Sequence, residues 1–182
     1  MAAVPIRAVL DANVLYPSTL RDTLLRAAEA GFFQICWSEE ILGETTRSLI
    51  RSGRLTERKA AHLLDQMKKA FPDAMVTGHG AIIPALKNQE KDRHVAAAAV
   101  RAGARLVVTG NLRDFRNLPE GLVAQSPDDF LRGLFALDED GMVELLKAQA
   151  GAMKKPPVSL SELLTALSKR APDFVRAVRA HL

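Results

Sequence analysis

The sequence contains one cysteine among its 182 residues, and this scarcity limits the kinds of protein that it describes. A single cysteine excludes an intrachain disulfide, and Cys36 lies within an apolar segment, where we expect a small core residue. No apolar run approaches the roughly 20 residues that cross a membrane. The N-terminal residues also lack the basic and apolar segments of a signal peptide. We therefore expect a soluble, cytoplasmic protein that does not bind membranes.

Catalysis by a nucleophilic side chain is not indicated either. The sequence has four histidines and one cysteine, and no Ser/His or Cys/His pair occurs at a spacing suited to catalysis. We expect His62, His79 and His181 to lie on the surface. His94 closely follows Asp92, so a packing role and a contact with substrate both stay open for it.

The net charge is modest, because 25 Lys and Arg residues face 21 Asp and Glu residues, for a total of +4. Residues 1–126 hold 17 basic and 13 acidic side chains, whereas residues 127–182 hold eight of each. The whole excess therefore belongs to the first part of the chain. Such a field suits a polyanionic substrate, and ordinary solvated surface accounts for it equally well.

Short apolar segments alternate with helical patterns through the first part of the chain. The patterns predict strands at residues 6–10, 32–37, 74–77, 105–109 and 122–124, and helices at residues 19–30, 39–51, 56–70 and 91–102. Strands that alternate with helices favour the α/β class, here a three-layer α/β/α domain around a central, mainly parallel sheet.

The last part of the chain is predicted to be helical throughout. The helices are expected at residues 127–137, 140–153, 161–169 and 172–181, with Ser126 and Ser159 as N-caps. We predict a domain at residues 1–131 and a helical C-terminal extension at residues 132–182. An apolar stripe at Leu160, Leu163, Leu164 and Leu167 is suited to packing on the domain or to contact with a dimer partner or another protein.

Four acidic residues lie just after strands or within early helical turns: Asp11, Glu44, Asp92 and Asp114. The carboxyl ends of parallel strands meet at one edge of a sheet, where binding sites form. A carboxylate cluster in a basic protein suggests a divalent metal ion that acts on a phosphate ester. Each residue alone also suits a helix cap, a turn or a solvated face. The residues by themselves leave both interpretations open.

Four ordered segments resemble the PIN-domain ribonucleases, and among them the VapC-like toxins of bacterial toxin–antitoxin pairs. They are VLDANVL at residues 9–15, WSEEILGE at 37–44, KDRHVAAA at 91–98 and LVVTGNLRDF at 106–115. The resemblance covers residues 6–131. The segment SPDDFL at residues 126–131 is similar to the end of the domain in a PIN subgroup that has a helical C-terminal extension.

The resemblance implies catalytic acids at Asp11, Glu44 and Asp92. The fourth acidic position of the family is Asn111 here, and Asp114, three residues later, is expected to serve as the fourth catalytic acid. The implied metal ligands are Asp11, Asp92, Asp114 and Asn111, with Glu44 as a further ligand or a group that orients water. The implied supporting side chains are Asn13, Ser38 and Thr109, although Ser38 suits a helix N-cap equally well.

The resemblance also implies an activity and its partners. It indicates an endoribonuclease that uses Mg²⁺ or Mn²⁺, acts on transfer or ribosomal RNA, is restrained by a cognate antitoxin protein and often forms a homodimer. Lys91, Arg93 and Arg113 flank the acids, where they suit contacts with RNA phosphates or an ordinary solvated surface.

Asn111 keeps a second interpretation open, because an amide has no charge to offer a cation. In that interpretation the chain is a non-catalytic PIN-like module that binds RNA or protein and has a degenerate metal site. A phosphoacceptor α/β domain fits less well, since no second acid lies beside Asp11 and no lysine follows the next strand.

Overall fold

The centre of the computed structural model, which describes residues 6–182, is a sheet of four parallel strands. In chain order the strands are β1 (Arg7–Leu10), β2 (Gln34–Cys36), β3 (Leu106–Val108) and β4 (Val123–Gln125). Their order across the sheet is β2-β1-β3-β4. Val9 of β1 pairs with Cys36 on one side and with Val107 on the other. The predicted α/β fold with a parallel sheet is confirmed.

Nine α-helices accompany the sheet within residues 6–182. They are α1 (Ala12–Leu15), α2 (Ser18–Glu29), α3 (Glu39–Arg51), α4 (Glu57–Ala70), α5 (Arg93–Ala102), α6 (Pro127–Leu137), α7 (Glu139–Ala152), α8 (Leu160–Leu167) and α9 (Pro172–His181). Four 3-10 helices lie at Pro72–Ala74, Gly80–Ala85, Glu90–Asp92 and Leu112–Phe115. None of these helices has the length and apolar character needed to cross a membrane.

Local sequence signals explain where the helices begin and end. Ser38 caps α3 by accepting the backbone N–H of Ile41 at 3.3 Å, and Ser126 caps α6 in the same way. Ser159 and Glu162 form a reciprocal capping box at the start of α8. Gly103 ends α5 in the left-handed conformation that glycine adopts without a steric penalty.

The core brings α5 close to the sheet. The strand residues Ala8, Val9 and Leu10 are fully buried, and so are all residues from Val95 to Ala99 in α5. Four of those five helical residues are alanines, whose small side chains let the helix axis lie near the strands. The first residues of α5 are thereby placed beside the carboxyl end of β1.

Some local predictions were wrong. Residues 74–77 do not form a strand; Pro72–Ala74 is a 3-10 helix, and Met75 makes only an isolated parallel bridge to Trp37. The short helix α1 was missed, because one turn leaves no periodic pattern. His79 is 6% exposed rather than on the surface, and its Nε2 lies 3.2 Å from Glu40 Oε1. Cys36 is buried, as expected.

The C-terminal helices pack on the first part of the chain. α7 contacts α2, and α9 contacts α6. The buried Gln149 accepts a hydrogen bond from Thr23 at 2.8 Å and donates one to the backbone oxygen of Thr19 at 3.1 Å. Leu163, Leu164 and Leu167 are at most 2% exposed. The apolar stripe of α8 is therefore used for internal packing.

Asp128 links two helices, and its loss should destabilise the fold. It lies in the first turn of α6, and its carboxylate accepts the backbone N–H groups of Asp173 and Phe174 at 3.1 and 2.8 Å, at the start of α9. We expect Asp128→Ala to lower the free energy of unfolding by about 1–2 kcal/mol, as for the loss of a charged helix cap. Urea denaturation measures this. Asp73→Ala removes an exposed aspartate that forms no ion pair within residues 6–182 and is the control; an equal loss in both variants would contradict the capping role.

Candidate active site

A cleft of about 950 Å³ opens at the carboxyl ends of the central strands. Asp11 follows β1 directly, and Asn111 follows β3. The cleft is lined by three of the four predicted acids, Asp11, Glu44 and Asp92, together with Asn111 and Lys91. Helix α3 contributes Glu44, and the 3-10 turn before α5 contributes Asp92. The topology thus brings together residues that are far apart in the sequence.

Asp11 is held rigidly at the base of the cleft. One carboxylate oxygen, Oδ1, accepts the N–H of Ala12 at 2.7 Å, and Oδ2 accepts Asn13 Nδ2 and Thr109 Oγ1, both at 2.8 Å. The residue is 4% exposed. Burial raises the pKa of Asp11, and the hydrogen bond from Thr109 and that from Ala12 act against this rise.

Asn13 and Thr109 also fix each other. Asn13 Nδ2 donates to Thr109 Oγ1 at 3.1 Å, and Asn13 Oδ1 accepts the N–H of Gly110 at 2.8 Å. The network ties the end of β1 to the end of β3. These contacts hold the carboxylate of Asp11 in one orientation.

Lys91 lies between two other acids. Its Nζ is 2.7 Å from Asp114 Oδ2 and 3.6 Å from Asp92 Oδ2. Asn111 Nδ2 donates to the same Asp114 oxygen at 2.5 Å. The hydrogen bond from Lys91 lowers the pKa of Asp114, and that bond raises the pKa of Lys91. Asp114 is therefore occupied by a cation and an amide donor supplied by the chain itself.

Asp92 differs from Asp114. Its Oδ2 is buried and has no hydrogen-bond partner within residues 6–182. Burial raises the pKa of Asp92 to about 6, Lys91 opposes that rise, and the negative charges of Asp11 and Asp114 add to it. The nearest cation is the Lys91 ammonium at 3.6 Å, which is an ion-pair distance but is too long for a hydrogen bond.

Two predicted residues have other neighbours. Glu44 Oε1 lies 3.0 Å from Nε2 of His94, which is 14% exposed, so this histidine packs beside a candidate acid. The hydroxyl of Ser38 caps α3 and forms no hydrogen bond with the four acids within the described part of the chain. No hydrogen bond of this kind supports the role that the resemblance implies for Ser38 within the described part of the chain.

Three basic residues of the cleft were not predicted. Arg47 and Arg51 lie on α3, three and seven residues after Glu44, and therefore on the same helix face. This spacing in the sequence could have predicted that both arginines lie near Glu44. Arg170 belongs to the turn before α9 and reaches the cleft from the C-terminal helices. No local pattern indicates Arg170, because only the packing of α9 on α6 places it there.

The predicted RNA contacts separate into two places. Lys91 lines the cleft, whereas Arg93 and Arg113 line a neighbouring pocket of about 440 Å³ that contains none of the four acids. Adjacent positions in the sequence, such as Asp92 and Arg93, therefore face different cavities.

The oxygen donors of the cleft fit Mg²⁺ or Mn²⁺. Within residues 6–182, no three His, Cys, Asp or Glu side chains converge closely enough to hold a metal ion by themselves. Mg²⁺, however, usually takes one or two carboxylates and completes its coordination with waters and substrate phosphates. Asp11 and Asp92 supply two carboxylates to one cleft, and Asp92 Oδ2, which accepts no hydrogen bond within residues 6–182, is an oxygen that a cation would satisfy.

Comparisons with known proteins identify the family to which the chain belongs. A family model for the PIN domain matches residues 7–113, more than half of the chain, and a model for the VapC50 C-terminal domain matches residues 127–180. A relative from Mycobacterium tuberculosis, named "Putative ribonuclease VapC50", is 37% identical over 109 residues. The match spans 58% of this chain and 64% of that relative, which is less than two thirds of its length. The resemblance seen in the sequence is confirmed, and the chain belongs to the PIN-domain family, with a C-terminal region of the VapC50 type.

Proposed function

We propose that this protein is an endoribonuclease that depends on Mg²⁺ or Mn²⁺ and hydrolyses phosphodiester bonds of RNA. The observation that supports this most directly is the pairing of Asp11, oriented by three donors, with Asp92, whose buried Oδ2 accepts no hydrogen bond within residues 6–182 and has only the Lys91 ammonium at 3.6 Å. Two carboxylates in a cleft rimmed by basic side chains suit a cation and a polyanion together.

Each side chain of the cleft has a distinct role in this proposal. Asp11 and Asp92 hold the metal ion, with Asp114 and the carbonyl oxygen of Asn111 as further ligands. When bound, the ion neutralises the phosphodiester and activates a water molecule for attack. Glu44 orients that water or adds a ligand. Asn13 and Thr109 keep Asp11 in position through the contacts described above.

The basic side chains of the cleft bind the RNA backbone in this proposal. Arg47 and Arg51 approach from α3, and Arg170 approaches from the C-terminal helices. The ammonium of Lys91 lies beside Asp92 and Asp114, where it contacts a substrate phosphate once the acids hold a cation. The substrate is a transfer or ribosomal RNA, cut in a single-stranded region.

The biological setting follows from the same proposal. A ribonuclease of this family needs restraint, so the protein is the toxin of a toxin–antitoxin pair, acts in the cytoplasm and binds a cognate antitoxin. A homodimer would place two clefts in one particle. The buried stripe of α8 is not available for either contact, since Leu163, Leu164 and Leu167 already pack within the chain.

Metal dependence is the first test of the activity. We expect the purified protein to cleave single-stranded RNA with Mg²⁺ or Mn²⁺ and to lose this activity in EDTA, with recovery when Mn²⁺ is added in excess. Gel analysis of end-labelled RNA measures the cleavage rate. Equal cleavage with and without EDTA would overturn the proposed metal site.

The contacts of Asp114 favour one alternative, a non-catalytic module that binds RNA or protein. Lys91 and Asn111 already satisfy Asp114, so this acid has less capacity left for a metal ion. Calorimetric titration with Mn²⁺ separates the two functions. The nuclease proposal expects saturable binding that Asp92→Asn removes, whereas the alternative expects no binding heat and no cleavage.

A further inference from the structure

A separate, basic pocket lies beside the cleft that contains Asp11, Glu44 and Asp92, which we call the acidic cleft. Lys87, Arg93, Arg113 and Arg116 line it, and Glu90 is the one carboxylate in its wall. None of the four basic side chains forms an ion pair within residues 6–182. Four cations with one acid between them leave a local excess of positive charge. An anion would relieve the repulsion among them.

The chain fixes the walls of this pocket relative to the acids. The N–H of Gln89 donates to the backbone oxygen of Asp114 at 3.0 Å, which joins the segment before α5 to the 3-10 helix Leu112–Phe115. Arg93 Nε donates to the backbone oxygen of Asn88 at 3.1 Å. Each wall also adjoins the acidic cleft, because Asp92 and Asn111, which line the cleft, lie one residue before Arg93 and two residues before Arg113.

Asn88 is an independent indication that this pocket binds a ligand. It lines the pocket, is 3% exposed, and neither Nδ2 nor Oδ1 has a hydrogen-bond partner within the described chain. Burial of an amide without partners is unfavourable, so such groups are usually satisfied by protein, water or ligand. A phosphate bound by the four basic side chains of the pocket would accept a hydrogen bond from Asn88 Nδ2.

We infer that this pocket binds a phosphate of the RNA substrate next to the bond that is cut. The inference rests on the proposed function, since it concerns the path of the RNA strand through the same active site. The scissile phosphate lies in the acidic cleft, and a neighbouring phosphate of that strand is held by Lys87, Arg116, Arg93 and Arg113, with Asn88 as a neutral donor. The pocket thereby sets which internucleotide bond reaches Asp11 and Asp92.

The first test measures RNA binding without catalysis. Fluorescence anisotropy with a labelled single-stranded RNA in EDTA compares the wild type with Lys87→Gln/Arg116→Gln. We expect about tenfold weaker binding, and a slope of log K against log salt that is smaller by about 0.7 for each lost phosphate contact. Arg58→Gln/Lys59→Gln on α4 removes the same charges from exposed positions and is the matched control. Equal affinities of the two double variants would overturn the inference.

The second test uses Asn88. Asn88→Leu keeps a side chain of similar size and removes two unpartnered polar atoms, so we expect an unchanged or higher midpoint of thermal unfolding together with RNA binding that is weaker by at least about threefold. Unchanged RNA affinity in the folded variant would exclude Asn88 from the site.

The two proposals fail in different ways. If the wild type cleaves RNA with Mn²⁺ but the Lys87→Gln/Arg116→Gln variant binds RNA like its control, the pocket is not a phosphate site and the nuclease remains. If the wild type never cleaves RNA but the double variant alone loses RNA affinity, the pocket stands and the nuclease proposal falls.

Discussion

Asp11→Asn is expected to reduce metal-dependent RNA cleavage by about 10³-fold, the scale seen when a preorganised charged group is removed from an active site. The substitution replaces a charged oxygen with an amide nitrogen. In either orientation of the amide, that nitrogen faces a donor of the wild type: the N–H of Ala12 at the Oδ1 position, or Asn13 Nδ2 and the hydroxyl of Thr109 at the Oδ2 position. The variant therefore loses a ligand charge and also meets a donor where it needs an acceptor.

The stability of this variant must be measured beside its activity. Burial raises the pKa of Asp11, so removal of its charge relieves a desolvation cost, while the mismatched donors cost about 1–3 kcal/mol. The two effects oppose each other, and we expect a small change in unfolding free energy. Asp22→Asn, at an exposed ion pair with Arg26 on α2, is the control for one lost charge. Full activity in folded Asp11→Asn would contradict the assignment.

Thr109→Val offers a graded comparison within the same network. The variant keeps the Asp11 carboxylate and removes one of its donors, so it tests orientation separately from charge. Groups that orient a metal ligand typically contribute about 10- to 100-fold to activity. Cleavage by Thr109→Val should therefore fall between that of the wild type and that of Asp11→Asn.

The sequence was sufficient for the fold because the relevant signals are local. Apolar strand segments, Ser and Thr caps and the glycine after α5 each act within a few residues, and the structure shows them where they were expected. The strand predicted at residues 74–77 failed for a tertiary reason. Its apolar residues pack beside Trp37 at the edge of the sheet, where only one bridge forms.

The candidate site could be predicted only as a set of residues, because its contacts depend on tertiary structure. The sequence placed Asp11 and Asn111 just after strands and Glu44 and Asp92 in early helical turns, and the fold brings all four to one cleft. The position of Lys91 between Asp92 and Asp114 was not predictable, because it depends on how the segment before α5 packs against the segment after β3. Arg170 and Asn88 were invisible for the same reason.

Asp92→Asn should have opposite effects on stability with and without metal. In the wild type, burial raises the pKa of Asp92 from 3.8 to about 6. The folded protein thus keeps a proton that the unfolded chain has already lost between these two pH values. Because the folded state binds more protons there, its stability falls as pH rises from about 3.8 to about 6. The asparagine variant does not have this loss.

In EDTA, we therefore expect Asp92→Asn to be more stable than the wild type above pH 6 and similar to it near pH 3.8. A pKa difference of about two units corresponds to about 3 kcal/mol for an isolated group, and solvent in the open cleft reduces the expected gain to about 1 kcal/mol. Urea denaturation at pH 4 and pH 7.5 measures both values. Equal differences at the two pH values would exclude Asp92 as the cause.

Manganese should reverse the order of the two proteins at pH 7.5. A ligand that binds only the folded state stabilises it by RT ln(1 + [L]/Kd), about 2.7 kcal/mol when its concentration is 100 times Kd. The wild type gains this term, whereas Asp92→Asn has replaced the carboxylate whose Oδ2 accepts no hydrogen bond in the described chain. Asp65→Asn, at an exposed ion pair with Lys69, should respond to Mn²⁺ like the wild type. If Asp92 had only a structural role, the pH effect would appear but Mn²⁺ would not reverse the order of stability of the two proteins. The carboxylate that destabilises the metal-free fold is therefore identified as a metal ligand only when both effects are observed.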